Sequence, residues 1–341
     1  MTVLILHDAI TDASRPDEQD ALVQAREVAA ALSSLGHRTR IRPVDLNLAA
    51  LAAALRDERP DAVFNLVESL DRQGRLIHLV PAVLDSLAIP YTGTTTIPML
   101  NTSSKLVAKR MLTAGGIATP PWRQPGRNDS TLQPPCRCIV KSVWEEASVG
   151  IDDASIIDTV STRQLDAIIA ARAPQLGGEA FAEAFIEGRE FNLSLLAAAP
   201  GERPVGAPIL LPPAEIDFID FPAGKPRIVG YAAKWDDRSH EFHHTPRRFD
   251  FPDGDTPLLA NLSRIAVDCW NLFDLAGYAR VDFRVDSAGR PWVLEINANP
   301  CLSADAGFMA AAGQAGLSLT DVVERLLSAA VGTAAARPVA G

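Results

Sequence analysis

The chain has 341 residues, room for two or three domains of ordinary size, with 47% hydrophobic and 22% charged residues. That balance excludes a disordered chain, and a formal net charge of −10 excludes a general nucleic-acid binder, which needs a basic face against phosphates. The longest apolar stretch, Leu46 to Leu55, is too short for a membrane span, the start at Met1 has no signal-peptide pattern, and four cysteines make no disulfide scaffold, so the expectation is a soluble, reduced, cytoplasmic enzyme.

In chain order, the apolar run Val3 to Leu6 predicts a buried strand, and Leu22, Val23, Val28, Ala31, Leu32 and Leu35 recur at helical spacing over Glu18 to Leu35, with Gly36 as a stop. Thr39 to Val44 alternates like a strand, Leu48 to Leu55 reads as a helix and Ala62 to Leu66 as a third strand. Leu76 to Leu87 is helical, broken or kinked near Pro81. Strands alternating with helices predict a parallel sheet over residues 1 to about 100. Lys105 to Ala114 is a helix with Lys105 and Lys109 on one face, Pro120 to Pro135 a connector, and Cys138 to Lys141 a strand. A strand–helix–strand series runs on to Leu196, and Pro200 to Pro226 reads as strands joined by tight turns. Leu258 to Leu275 is an amphipathic helix, Val281 to Val285 and Pro291 to Asn297 form a hairpin around Asp286-Ser287-Ala288-Gly289, and the tail after Leu327 reads as frayed.

The hairpin carries the most chemistry. Side chains alternate faces along a strand, so Arg280, Asp282 and Arg284 share one face and Glu295, Asn297 and Val293 share one on the partner. Asp282, Glu295 and Asn297 thereby converge as hard oxygen donors of the kind Mg²⁺ takes while keeping positions open for water and phosphate. The other reading is the plain solvent face of a hairpin. Lys105 opens a helix and Lys141 ends a strand before a Ser- and Gly-containing loop at Ser148, which suits phosphate oxygens, although no Walker pattern exists in the chain. The run Glu183-Ala184-Phe185-Ile186-Glu187-Gly188-Arg189-Glu190 reads equally as an edge for a flat base or as an ordinary strand and turn.

In this order and at these separations the clusters resemble the ATP-grasp superfamily, in its D-alanine–D-alanine ligase branch, from about Val3 to Leu327. The motifs are Arg280-Val281-Asp282-Phe283 through Leu294-Glu295-Ile296-Asn297-Ala298-Asn299-Pro300, with Ile89-Pro90-Tyr91-Thr92-Gly93 and Tyr231-Ala232-Ala233-Lys234-Trp235. The resemblance implies an α/β protein with a Rossmann-like domain over 1–100, two α+β subdomains over 101–188 and 189–328 that clasp ATP, and a flexible tail over 329–341. It implies that Asp282, Glu295 and Asn297 hold two Mg²⁺ (or Mn²⁺) ions and that Lys105, Lys141 and Ser148 bind the phosphates. It gives Glu183, Phe185 and Ile186 to the adenine, Glu190 to the ribose, Arg280 to the oxyanion of a tetrahedral intermediate, and Lys234 to the transferred phosphate and second substrate. The implied activity is ATP-dependent joining of a carboxylate and an amine through an acyl phosphate. Substrates are small molecules, and a homodimer is compatible with the branch. The other readings are D-alanine–D-alanine ligation itself and a non-catalytic ATP sensor.

The amino-acid half departs from the branch. Asp17 or Glu18 in Ser14-Arg15-Pro16-Asp17-Glu18-Gln19-Asp20 only loosely fits the N-terminal Glu; Ala147 stands for the lid Ser, Trp235 for the Tyr, and Ala306 at or near the second-carboxylate Ser. Each hydroxyl lost from a buried carboxylate site costs about 1–3 kcal/mol, which disfavours D-alanine. Glu68, at the C-terminal end of a parallel strand, is a candidate for a substrate ammonium, with a plain loop carboxylate as the alternative. His240-Glu241-Phe242-His243-His244 reads as a polar loop and lid rather than a metal site.

Overall fold

The computed structural model describes residues 1–10, 15–199, 201–204 and 206–336; Ser14, the Asp17 side chain and residues 337–341 of the expected tail lie outside that description. β1 (Thr2–Asp8), β2 (Arg38–Val44) and β3 (Ala62–Asn65) form a parallel sheet in the order β2-β1-β3. Its central strand is apolar throughout because both faces are covered. Val3 and Ile5 pack with α1 (Pro16–Ser34), while Leu4 and Leu6 pack with α2 (Leu48–Glu58) and α3 (Leu79–Ser86). Pro81 does not break the third helix: it sits in the first turn, where no backbone N–H has an intrahelical partner to lose.

α4 (Thr96–Ser103), absent from the sequence reading, precedes α5 (Lys105–Ala114), whose N-cap is Ser104. The proline-rich connector contains a short strand, β4 (Trp122–Arg123). With β5 (Cys136–Ser142), β6 (Ile156–Thr159) and β7 (Ala180–Ala184) it makes an antiparallel sheet ordered β4-β7-β5-β6, backed by α6 (Thr162–Arg172).

A third sheet runs β11-β10-β8-β12-β13, from β8 (Arg189–Ala197), β9 (Pro208–Leu210, paired to β8), β10 (Ala214–Ile216), β11 (Arg247–Arg248), β12 (Tyr278–Val285) and β13 (Pro291–Asn297). Of the stretch Pro200 to Pro226, β9 and β10 are the strands described. Phe191, Leu193, Val281 and Phe283 face the core under α9 (Thr256–Leu272), leaving the opposite face free for polar residues. Two short helices, α7 (Tyr231–Trp235) and α8 (His240–His243), precede β11, so all but the last residue of the polar loop expected at His240 to His244 is helical, started by the Ser239 cap.

α10 (Gly307–Gln314) and α11 (Leu319–Ala336) finish the chain. Helix therefore extends well past Leu327, where fraying was expected. The reason is burial: Ala330 is buried and Val331 packs on the core that Val322, Val323, Leu326 and Leu327 share with Val3, Ile5, Val28, Leu32 and Phe64. No helix among the described residues is long and apolar enough to cross a membrane.

Candidate active site

Register assembles the site. Arg280 pairs with Ser194 and Asn297, Asp282 with Asn192 and Glu295, and Arg284 with Glu190, so all eight share the face of the third sheet that lies away from α9. Val293 does not join them. The pairing shifts from Asp282–Glu295 to Phe283–Val293, leaving Leu294 unopposed, and this bulge turns Val293 into the core beside Ile296. The strict alternation expected for this strand therefore fails at one residue, and the extra residue aims Glu295 at Asp282.

Asp282 is buried and held by three donors. Arg280 donates two hydrogen bonds to it at 2.7 and 2.8 Å, and the Asn192 amide donates a third at 2.7 Å. Glu295 lies 3.5 Å from the Lys105 ammonium, which also donates to the Glu145 carbonyl at 2.8 Å. Burial by itself would raise the Glu295 carboxyl, but Lys105, Lys234, Lys141 and Arg280 together hold it well below the carboxylate range. The Asn297 side chain accepts the Asn299 N–H at 2.9 Å. Two carboxylates and an amide on adjoining strands are a donor set suited to Mg²⁺ or Mn²⁺.

The second sheet presents a complementary face. Glu183, 1% exposed, is held between Lys109 and Lys141, each ammonium 2.6 Å from one of its oxygens. Lys109 also donates to the Thr119 hydroxyl and the Pro120 carbonyl. Burial would raise the Glu183 carboxyl, but the two ammoniums outweigh it and hold it down. Glu183 is thus a buried counter-ion that fixes Lys141, and Lys109 is the partner that sequence reasoning placed on the right helix face without giving it a role. Phe185 lies under two guanidiniums, Arg137 at 5.5 Å and Arg284 at 5.8 Å, with the half-buried Ile186 beside it. Glu190 pairs with Arg284 at 2.7 Å.

The loop between β5 and β6 is fastened over the cleft. Ala147 and Ser148 adopt positive φ of 53° and 60°, a strained pair of non-glycine residues. The Ser148 hydroxyl donates to the Val229 carbonyl at 2.9 Å, and the Trp235 indole donates to the Ala147 carbonyl at 3.2 Å. Trp235, expected at the substrate, thereby also ties the loop in place. Lys234 is lowered from the ordinary lysine value by burial and by Arg280, against the pull of Glu295, Asp282 and Glu190.

Toward β1 and β3 the cleft turns acidic. Asp8 accepts the Glu68 N–H at 2.7 Å and the Ser69 hydroxyl at 2.6 Å, and burial lifts its carboxyl to about 6. Burial raises Glu68 well above its ordinary value and Glu146 to about 7. Glu18 is paired with Arg15 and Arg72. Asp8 and Glu146 were not singled out from the sequence; the signal available was their position at a strand end and beside the lid serine. His240 and His244 stack at 3.7 Å, and no group of three His, Cys, Asp or Glu residues among the described residues converges to hold a metal.

Two antiparallel sheets that close a lysine- and carboxylate-lined cleft, beside a parallel-sheet unit, define the ATP-grasp fold. The pattern of the family described as "D-ala D-ala ligase C-terminus" matches residues 125–328, well over half of the chain, and the chain belongs to that family. The uncharacterized protein y4sG of Sinorhizobium fredii is 28% identical over 312 residues, covering 90% of this chain and 87% of that protein. The D-alanine–D-alanine ligase of Moorella thermoacetica is 28% identical over 323 residues, covering 92% and 96%. The solved D-alanine–D-alanine ligase of Bacillus anthracis complexed with ATP superimposes with a TM-score of 0.70 at 19% identity, covering 98% of this chain and 99% of that one, and so shares the fold.

Proposed function

We propose that the chain is an ATP-dependent carboxylate–amine ligase acting on amino acids or similar small molecules. The observation that carries this is the single polar face of Arg280, Asp282, Glu295 and Asn297 set against Lys105 and the Lys109–Glu183–Lys141 triad in a chain of this family. Lys105 and Lys141 would neutralise phosphate oxygens, with Ser148 closing over them, and Phe185, Ile186 and Glu190 would receive the nucleoside. Asp282, Glu295 and Asn297 would hold one or two Mg²⁺ or Mn²⁺ ions, whose chemistry is to neutralise phosphate charge.

Phosphoryl transfer to a substrate carboxylate needs positioning and charge neutralisation rather than covalent help. It leaves ADP and an acyl phosphate. An amine then attacks the acyl carbon; the carbonyl oxygen gains charge near Arg280 and phosphate departs as the amide forms. The fastened loop at Ala147 and Ser148 excludes water that would hydrolyse the acyl phosphate.

Authentic D-alanine–D-alanine ligation is the second reading, supported by the names of relatives such as the Moorella thermoacetica ligase. Against it stand Ala147, Trp235 and the unneutralised Glu68. The deciding experiment measures ADP release with Mg²⁺ and ATP against D- and L-amino acids, singly and in pairs, with products identified by mass spectrometry. An amide from any pair supports the ligase, D-alanyl-D-alanine as main product supports the second reading, and tight ATP binding without turnover makes the chain a nucleotide sensor.

A further inference from the structure

An open cleft lies at the C-terminal ends of β1 and β3, against the loop that carries Ser148. Its walls include Asp8, Glu18, Glu68 and Glu146, and its two arginines, Arg15 and Arg72, both bind Glu18. Among the described residues no lysine or arginine forms an ion pair with Asp8, Glu68 or Glu146, and Glu68 has a single long contact, from the Gln24 amide at 3.4 Å. Asp8 and Glu68 are two low-solvation carboxyls with no cation on either, one more than a single ammonium would pair with, and burying carboxylates uncompensated is costly. A metal ion does not answer this, because the oxygens do not converge. Their charges are spread along the cleft, which suits an extended organic cation.

The far end of the same cleft has the opposite sign. Glu146 lies in the field of Lys105, Arg280 and Lys234, where a carboxylate would be drawn toward the phosphate site. Trp144 lines the cleft as well, and its indole N–H is buried with no acceptor in the protein, a donor left for a ligand oxygen. A ligand matching both ends carries a carboxylate at one and more than one positive charge at the other.

We propose that the substrate seated in this cleft is an amino acid with a second cationic group on its side chain, a diamino or guanidino acid, with Asp8 and Glu68 as its counter-charges. Its conversion to an amide rests on the ligase reading; its binding does not. The test titrates D- and L-lysine, ornithine and arginine, and D- and L-alanine for comparison, calorimetrically into the full-length protein loaded with a non-hydrolysable ATP analogue and Mg²⁺. At least one cationic amino acid binds about tenfold or more tighter than either alanine, the range expected of a charge-assisted hydrogen bond. Glu68→Gln and Asp8→Asn each erase most of that preference, and Glu68→Gln leaves analogue affinity unchanged. Alanine binding as tightly, a preference that survives both substitutions, or no binding by any cationic amino acid overturns the proposal. If a neutral pair yields an amide, the ligase reading stands while this one falls; if cationic amino acids bind but no pair releases ADP, the reverse holds.

Discussion

Glu183 shows how a buried charge is made tolerable and useful at once. With one ammonium 2.6 Å from each oxygen its charge is compensated, and Lys141 is fixed toward the cleft. Lys109→Met leaves a fully buried carboxylate with half its compensation, so the protein loses about 3–5 kcal/mol in a urea titration, and adding Glu183→Gln restores part of it. Arg280 has a comparable double duty, since its guanidinium grips Asp282 through two bonds. Arg280→Ala lowers amide formation at least a hundredfold and also raises the Mg²⁺ concentration needed for half-maximal ADP release; an unchanged Mg²⁺ requirement would show that Asp282 holds its place unaided. Asp8 supplies a pH signature. Its carboxyl titrates near 3.8 in the unfolded chain and about 6 in the fold, so its contribution to stability is full below the lower value and lost as pH rises through the upper one. Relative to wild type, Asp8→Asn therefore gains about 2–3 kcal/mol between pH 4 and pH 7.5, and a difference constant across that range removes the assignment. Arg280, Asp282, Glu295, Asn297 and Lys141 were legible because alternation and chain order expose them. Asn192 and Lys109 were not, because their meaning depends on which strand lies beside which.

At the scale of elements, the hairpin is the part where simple alternation almost suffices. It fails at Leu294, where one inserted residue sends Val293 to the core and Glu295 to the cleft. Nothing in the sequence marks that bulge, since Val-Leu-Glu-Ile reads as easily without it. Gly188 is an equally local constraint with a visible signature. It has φ of +146°, and a Cβ there would stand 1.9 Å from the Val285 carbonyl oxygen, so the turn from β7 to β8 passes directly over the end of β12. Gly188→Ala combines a clash against backbone with a disfavoured conformation and costs about 3 kcal/mol, read as a lower melting temperature with disturbed nucleotide binding. α4 has no sequence signature because Thr96 to Ser103 has Pro98 and few strong helix formers; its helix is imposed by packing of Met99 on the core of the third sheet.

At the scale of the whole molecule, charge is segregated along one cleft: carboxyls at the ends of β1 and β3, cations where the two antiparallel sheets meet. The order of secondary structure was readable from periodicity, and the family resemblance supplied the clasp. What neither gave was the destination of the last helix. α11 closes the parallel sheet at the other end of the chain, through Val322, Val323, Leu326 and Leu327. Those four side chains contribute about 8 kcal/mol of apolar burial, comparable with the net stability of a whole domain. Truncation after Ser318 therefore yields protein without a cooperative thermal transition, and a sharp transition within a few degrees of wild type would contradict that reading.

That closure also sets a timetable for synthesis. Val3, Ile5 and Phe64 are made early, but α11, which completes the cover that α1 begins, is made about 250 residues later. At the usual pace of about 5–20 residues per second, the part of that sheet face left beside α1 stays open for ten seconds or more while the rest of the chain is translated. The nascent chain is accordingly a client for whatever shields hydrophobic surface at the ribosome, and chains stalled before Leu319 should be cut by protease within the first three strands while released chains resist.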